Sequence, residues 1–276
     1  MFNACRAYKP LAYVSLVFLI LLSSNLLAQT KPKRVDIGDK PPTSILWVGN
    51  SFFYYNNSMH NHFSNLVRAV DPKPVLRQTS VTISGSGMDW HDVESYFRPN
   101  GIGKYSFVGD NEIVFNKLEK LFDAVILSDC SQCPVHPQLK SIFHEYAKKQ
   151  SATVIKHGAR PILLMTWAYK DKPDMTSQLA EEYTIAGNDN DALVIPAGLA
   201  FAKAISKRSD LEFYQPDKRH PTLIGTYLAA STIYSSIYKK SPVGNSYIGS
   251  IDAKTANFLQ SVAWETVQEY FGKWEN

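Results

Sequence analysis

SILWVGNSFF, residues 44–53, runs an uninterrupted apolar segment into a Gly-Asn-Ser turn. An apolar run this short, bounded by turn residues, reads as a fully buried strand of the kind found in parallel sheets covered on both faces. Ser51 then stands at the carboxyl end of that strand, where open α/β sheets place their ligands. The first N–H groups of a helix starting there can face an oxyanion. Gly, Asn and Ser are also ordinary turn and N-cap residues. These residues alone therefore leave Ser51 open between a nucleophile and a turn former.

Outward from this stretch the same rhythm recurs. Apolar runs at 75–83, 124–128, 161–166 and 193–195 read as further strands, and helical patterns fill 58–69, 138–156, 177–187, 197–207, 221–238 and 252–271. Strands alternating with helices predict an α/β domain with a mostly parallel five-stranded sheet. Pro221 suits the first turn of its helix, where a missing N–H costs nothing. Residues 93–120 break the rhythm and read as a surface excursion, either a binding wall or lid or simply an ordered loop. No linker divides 44–276, which reads as one domain behind a leader at 29–43.

Arg6 and Lys9 precede an uncharged apolar stretch, 11–27, that ends in Leu26, Leu27 and Ala28. This is a secretory signal pattern over 1–28, and the Ser23-Ser24-Asn25 interruption with the small Ala28 favours cleavage there over a retained anchor. Export to the periplasm or medium follows, with no stable membrane insertion afterwards. No cysteine stands at the cleavage point for a lipid. Loss of Arg6 and Lys9 lowers the formal charge from +4 to +2, which makes no electrostatic case for nucleic acid. The basic cluster Lys31, Lys33 and Arg34 reads as a solvated linker. Cys130 and Cys133, in DCSQCP, form a C-x-x-C that can close a local disulfide in an oxidising compartment; a redox role is the alternative.

A serine hydroxyl needs a base, and YQPDKRHPTLIGTYLAA, residues 214–230, supplies the best candidate. On a tight loop, Asp217 three residues before His220 can accept a hydrogen bond from one imidazole nitrogen while the other faces Ser51. A capped helix start with a surface histidine accounts for D-x-x-H equally well. His60 and His62 are two apart on a helix and point in different directions, so a shared metal ion is poorly supported.

Gly49-Asn50-Ser51 after the first strand, with Asp217-Lys218-Arg219-His220-Pro221 near the carboxyl end, resembles the SGNH, or GDSL-like, hydrolase superfamily. The resemblance implies a three-layer α/β/α, flavodoxin-like domain and a triad of Ser51, His220 and Asp217, with neither cofactor nor metal. It implies an oxyanion hole made by the N–H groups of Ser51 and of Gly85, or alternatively Gly87, in ISGSGMDWH. The family's G-x-N-D block is absent; ILSDCSQCP holds its place, with Gln132 as a conceivable substitute for the asparagine donor. Trp47, Trp90 and Trp167 could line a sugar pocket or serve packing; Trp90 and Trp167 are the candidate pocket residues. The reading is an exported serine esterase acting on a small-molecule or carbohydrate ester, with O-acetyl groups foremost. A carbohydrate-binding protein without useful catalysis on the same fold is the alternative, and a thiol oxidoreductase the third.

Overall fold

The protein is described here as a computed structural model covering residues 30–70, 76–98, 101–102, 105–115, 117–118 and 120–273. The expected signal at 1–28 lies outside these residues, as does Val75 at the start of the second expected strand. The chain enters through β1 (Ser44–Gly49), a one-turn helix α1 (Ser51–Tyr54), α2 (Met59–Arg68) and β2 (Arg77–Thr82). After α3 (Val93–Tyr96) comes a hairpin of β3 (Tyr105–Gly109) and β4 (Glu112–Phe115). Then follow β5 (Ala124–Leu127), α4 (Lys140–Lys156), β6 (Arg160–Leu164), α5 (Met175–Asp189), β7 (Leu193–Ile195), α6 (Ala197–Lys207), α7 (Leu223–Tyr238) and α8 (Ala253–Phe271).

Five strands make one sheet in the order β2-β1-β5-β6-β7, and every pairing is parallel. The chain winds outward from β1 to β2 and then back across it to β5. That reversal opens a crevice at the carboxyl ends of the strands, the usual ligand site of doubly wound sheets. Ser51 follows β1 directly.

Side-chain alternation explains why the central strands β1 and β5 carry apolar side chains on both faces. In β1, Ile45 and Trp47 enter the core shared with α2, α6, α7 and α8, while Leu46 and Val48 enter the core on the other face, with α3, α4 and α5. Ala124 and Ile126 of β5 divide from Val125 and Leu127 in the same way. A strand buried on both faces has no polar positions to alternate. Helix α7 is buried without a break from Gly225 to Ile237. Its hydroxyl residues fit there because Thr232, Ser235 and Ser236 donate to carbonyls one turn earlier, those of Leu228, Ser231 and Thr232.

Three local expectations change. The helix expected from Pro221 starts at Leu223, with Thr222 as its N-cap; Pro221 is instead held in an antiparallel bridge to Tyr214. The basic leader is docked rather than solvated. Arg34 forms a two-pronged ion pair with Asp191, Lys33 N–H donates to Asn188 Oδ1 at 2.7 Å, and Ile37 is buried in the core. The excursion at 93–120 contains the β3–β4 hairpin, whose Phe107 is 74 % exposed. Phe97 on Phe122 and His157 anchors its root, beside the amino ends of β5 and β6. Because the sheet is parallel, that root lies at the opposite end from Ser51.

Helix α6 sits close to the segment after β6, because a Cβ on Gly198 would lie 2.2 Å from the Thr166 carbonyl oxygen. Neither backbone can yield easily, so Gly198→Ala should destabilise the fold by about 2–3 kcal/mol. Thermal unfolding followed by circular dichroism should show a midpoint lowered by roughly 5–10 °C.

Candidate active site

Asn50, not Ser51, caps α1: its Oδ1 accepts from Phe52 N–H at 3.1 Å. The same side chain donates both amide protons, to the carbonyls of Ser86 at 2.9 Å and Asp129 at 3.0 Å. One residue thereby ties together the loops after β1, β2 and β5. Ser51 is the first residue of α1 and is left with its hydroxyl free to face outward toward the crevice, 8 % exposed.

That hydroxyl meets His220, with Ser51 Oγ 2.7 Å from His220 Nε2 across a sequence separation of 169. On the other side of the ring, Nδ1 is hydrogen-bonded to Asp217 Oδ2. Asp217 Oδ1 also accepts from the N–H groups of Arg219 at 2.9 Å and His220 at 3.0 Å. Partial burial works to raise the Asp217 carboxyl, but the His220 ring and these two N–H groups outweigh it and hold it below the ordinary range. A carboxylate at Nδ1 fixes the proton there and leaves Nε2 to accept from the serine.

The turn carrying Asp217 and His220 is restrained from behind. Trp167 Nε1–H donates to the Arg219 carbonyl at 2.9 Å, Lys170 N–H to that of Lys218 at 3.0 Å, and Gln215 N–H to that of His220 at 2.8 Å. Tyr55 stacks on the His220 ring at 4.2 Å, and Phe52 meets it edge-on at 5.5 Å. Asn56 donates to the Pro221 carbonyl at 2.8 Å. His62, one of the two histidines considered for a metal, has Nε2 at 2.8 Å from the Asn56 carbonyl and Nδ1 at 2.8 Å from the Tyr247 hydroxyl. Burial lowers its pKa, so it serves as neutral support. No cluster of three or more metal-ligating side chains occurs among the described residues.

The loop after β2 lies against the Gly49–Ser51 turn. Ile83 N–H donates to the Gly49 carbonyl at 3.0 Å, and the Tyr54 hydroxyl donates to Ser84 at 3.0 Å. Gly85, between these contacts and the Asn50–Ser86 bond, has φ +74° and open space where a Cβ would be. Its N–H has no hydrogen-bond acceptor among the described residues. Gly87 is small for a different reason, since a Cβ there would lie 2.9 Å from Asp129 Oδ1. Gln132 precedes the short 3-10 turn Cys133–Val135, makes no side-chain capping bond, and has no hydrogen bond to Ser51 or His220 among the described residues.

The residue that sequence reasoning missed is Asp129, two positions after β5 and only 3 % exposed. Its Oδ1 accepts from Met88 N–H and Cys130 N–H, each at 2.8 Å. Burial raises its pKa to about 6 despite those two bonds. His91 was also missed: its Nε2 lies 3.1 Å from the Gly49 carbonyl and 3.0 Å from Ser86 Oγ. Cys130 and Cys133 form a disulfide beside Asp129. A polar residue two positions after an all-apolar central strand was the available signal for Asp129, because the strand's burial continues into the start of its loop, where Ser128 is also buried.

The two candidate pocket tryptophans separate. Trp90, on the 3-10 turn Met88–Trp90, is 60 % exposed. Trp167 is fully buried, stacked between Phe52 at 4.6 Å and Phe201 at 4.2 Å. Its placement in the pocket is therefore corrected: it supports the Asp217–His220 turn from inside the core, as the buried Trp47 supports β1.

No family model and no curated protein matches the chain. Among solved structures, it is similar to a DUF4886 family protein from Bacteroides uniformis, with 18 % identity over 84 % of this chain and 97 % of that one and a TM-score of 0.56. A candidate SGNH hydrolase from Slackia heliotrinireducens is 18 % identical over 70 % of this chain and 98 % of its own, with a TM-score of 0.52. The chain has the SGNH hydrolase fold. An acetylxylan esterase from Geobacillus stearothermophilus matches the same fold at 13 % identity over 71 % of this chain and 94 % of that one, with a TM-score of 0.50. Within this fold, the sheet's carboxyl edge brings Ser51, Gly85 and the Asp217–His220 turn together, and Asp129 occupies the loop where the G-x-N-D block was expected.

Asp129 gives the site a stability signature. Its folded pKa, about 6, lies above the ordinary aspartate value of 3.8, so the folded state holds more protons than the unfolded state between those values. Stability from this group is retained at low pH and lost as pH rises from about 4 to about 6. Asp129→Asn keeps an Oδ1 acceptor for both N–H groups without the charge. It should unfold about 3 kcal/mol less readily than the native protein at pH 8, with the difference vanishing near pH 4, as measured by urea denaturation at the two pH values.

Proposed function

We propose that the protein is an exported serine esterase that removes a short acyl group, O-acetyl foremost, from a carbohydrate. The observation that carries this reading is the unbroken line of hydrogen bonds from Asp217 through His220 to Ser51 Oγ. In the first half-reaction His220 Nε2 takes the Ser51 proton as Oγ bonds to the ester carbonyl carbon. The N–H groups of Ser51 and Gly85 receive the resulting oxyanion. His220 then returns the proton to the departing alcohol oxygen as the ester C–O bond breaks, leaving an acyl-serine. Water, deprotonated by the same imidazole, releases the acid and restores Ser51. Asp217, held ionised, stabilises the imidazolium formed in each half.

Export rests on the Arg6 to Ala28 pattern. A sugar ester is favoured by the exposed indole of Trp90 on the turn that follows Gly85, and by the presence of an acetylxylan esterase among proteins of this fold.

The mature protein should hydrolyse 4-nitrophenyl acetate, and Ser51→Ala and His220→Ala should each lose at least about 10⁴-fold in kcat/KM. A fluorophosphonate should label Ser51 alone, as located by peptide mass spectrometry. Equal hydrolysis by the native and Ser51→Ala proteins would sink the triad. Sugar binding with neither turnover nor labelling would instead favour a binding protein on this fold.

A further inference from the structure

The hairpin of β3 and β4 pairs Tyr105 with Phe115, Ser106 with Val114 and Phe107 with Ile113. Side chains alternate across a strand, so the first and third pairs lie on one face of the ribbon. That face carries Tyr105, Phe107, Ile113 and Phe115 and no charge, whereas Ser106, Val114 and Glu112 take the other. Phe107 is 74 % exposed and the other three apolar-face residues 47 % each, and none of the four belongs to either core. The left-handed φ of +67° at Asn111 closes the turn. A two-stranded hairpin is marginal in water unless something covers its apolar face.

Area and charge narrow what covers it. With about 150–250 Å² for each aromatic side chain, the uncovered parts of these four residues amount to roughly 500 Å². Two such faces stacked on each other bury about 1,000 Å² in all, the lower bound for a specific interface, before the hairpin's tip and root are counted. Asp110 and Glu112 stand at the tip and Lys117 at the root, and none of the three has an ion-pair partner among the described residues. An antiparallel stack about a two-fold axis sets each acidic tip against the other copy's Lys117, twice over. A parallel stack would crowd four carboxylates together. An anionic lipid surface would meet the two tip carboxylates of each hairpin. Edge-to-edge strand pairing would leave the apolar face in water.

We propose that this face is the contact surface of a two-fold homodimer, with Tyr105, Phe107, Ile113 and Phe115 of one copy stacked antiparallel on the same four residues of a second. The hairpin's root lies at the end of the sheet away from Ser51, so the pairing leaves the crevice of each copy open. The inference does not depend on the esterase reading.

The test is sedimentation equilibrium of the mature chain from about 1 to 200 µM. The native protein should approach twice the monomer mass within this range, and Phe107→Asp with Ile113→Asp should raise Kd at least about 100-fold. These side chains are exposed, so the thermal unfolding midpoint should stay put at concentrations where both proteins are monomeric. Lys117→Glu alone, and Asp110→Lys with Glu112→Lys, should each weaken the dimer about tenfold. All three charge exchanges in one chain should restore it, which a hairpin merely damaged by substitution would not do. A native protein that is monomeric at about 200 µM, or a dimer that the Phe107 and Ile113 substitutions leave intact, overturns the proposal. Failure of the combined charge exchange to restore affinity overturns the antiparallel arrangement. Flotation of a monomer with phosphatidylglycerol vesicles, abolished by Phe107→Asp, would assign the face to lipid and overturn the dimer.

Discussion

The side chain of Asn50 is the constraint on which the site depends. Its oxygen starts α1, and its two protons reach the loops after β2 and β5. Parallel strands leave their terminal carbonyls at one edge, where buried polar groups must be paired or bear a cost of a few kcal/mol each. Asn50 pairs two of them while setting the direction of Ser51. A shorter hydroxyl could cap the helix but could not span to both neighbouring loops, which gives the asparagine of the Gly-Asn-Ser turn a physical reason.

Ser51 and His220 are held by different means. Ser51, at the start of α1, and Gly85, in the loop after β2, are flanked by a buried polar network of Asn50, Ser86, His91, Asp129 and Gln150. The Asp217–His220 turn lies nearer the surface and is held by backbone hydrogen bonds and by the aromatic stack Phe52–Trp167–Phe201. That stack joins the two halves, since Phe52 neighbours Ser51 in sequence and Trp167 holds the Arg219 carbonyl. Packing of flat rings restrains orientation while requiring no further buried polar partners.

Most of the sheet was legible because burial on both faces makes its strands almost purely apolar. The 124–128 run contains β5, and the 197–207 pattern coincides with α6. The hairpin at 105–115 was not legible, because alternation is a signal of one buried face and these residues are exposed on both. The leader's docking depends on partners such as Asp191 and Glu181, about 150 residues away in sequence, which no local pattern encodes. In the site, Ser51, Asp217 and His220 were legible from spacing that a known family shares. Asp129 was not, because an asparagine donor was sought at that loop and an acidic acceptor stands there.

That exchange of donor for acceptor has a consequence for how the site works. A carboxylate at Asp129 can hold Met88 and Cys130 by their N–H groups, but it cannot donate to an oxyanion, and when ionised its charge opposes nearby negative charge. Burial pushes its pKa up to about 6, so the neutral form, which can donate through its other oxygen, gains population as the medium becomes acidic. A loop asparagine would carry no charge at any pH, so the aspartate makes the electrostatics of this loop depend on pH where an asparagine would not.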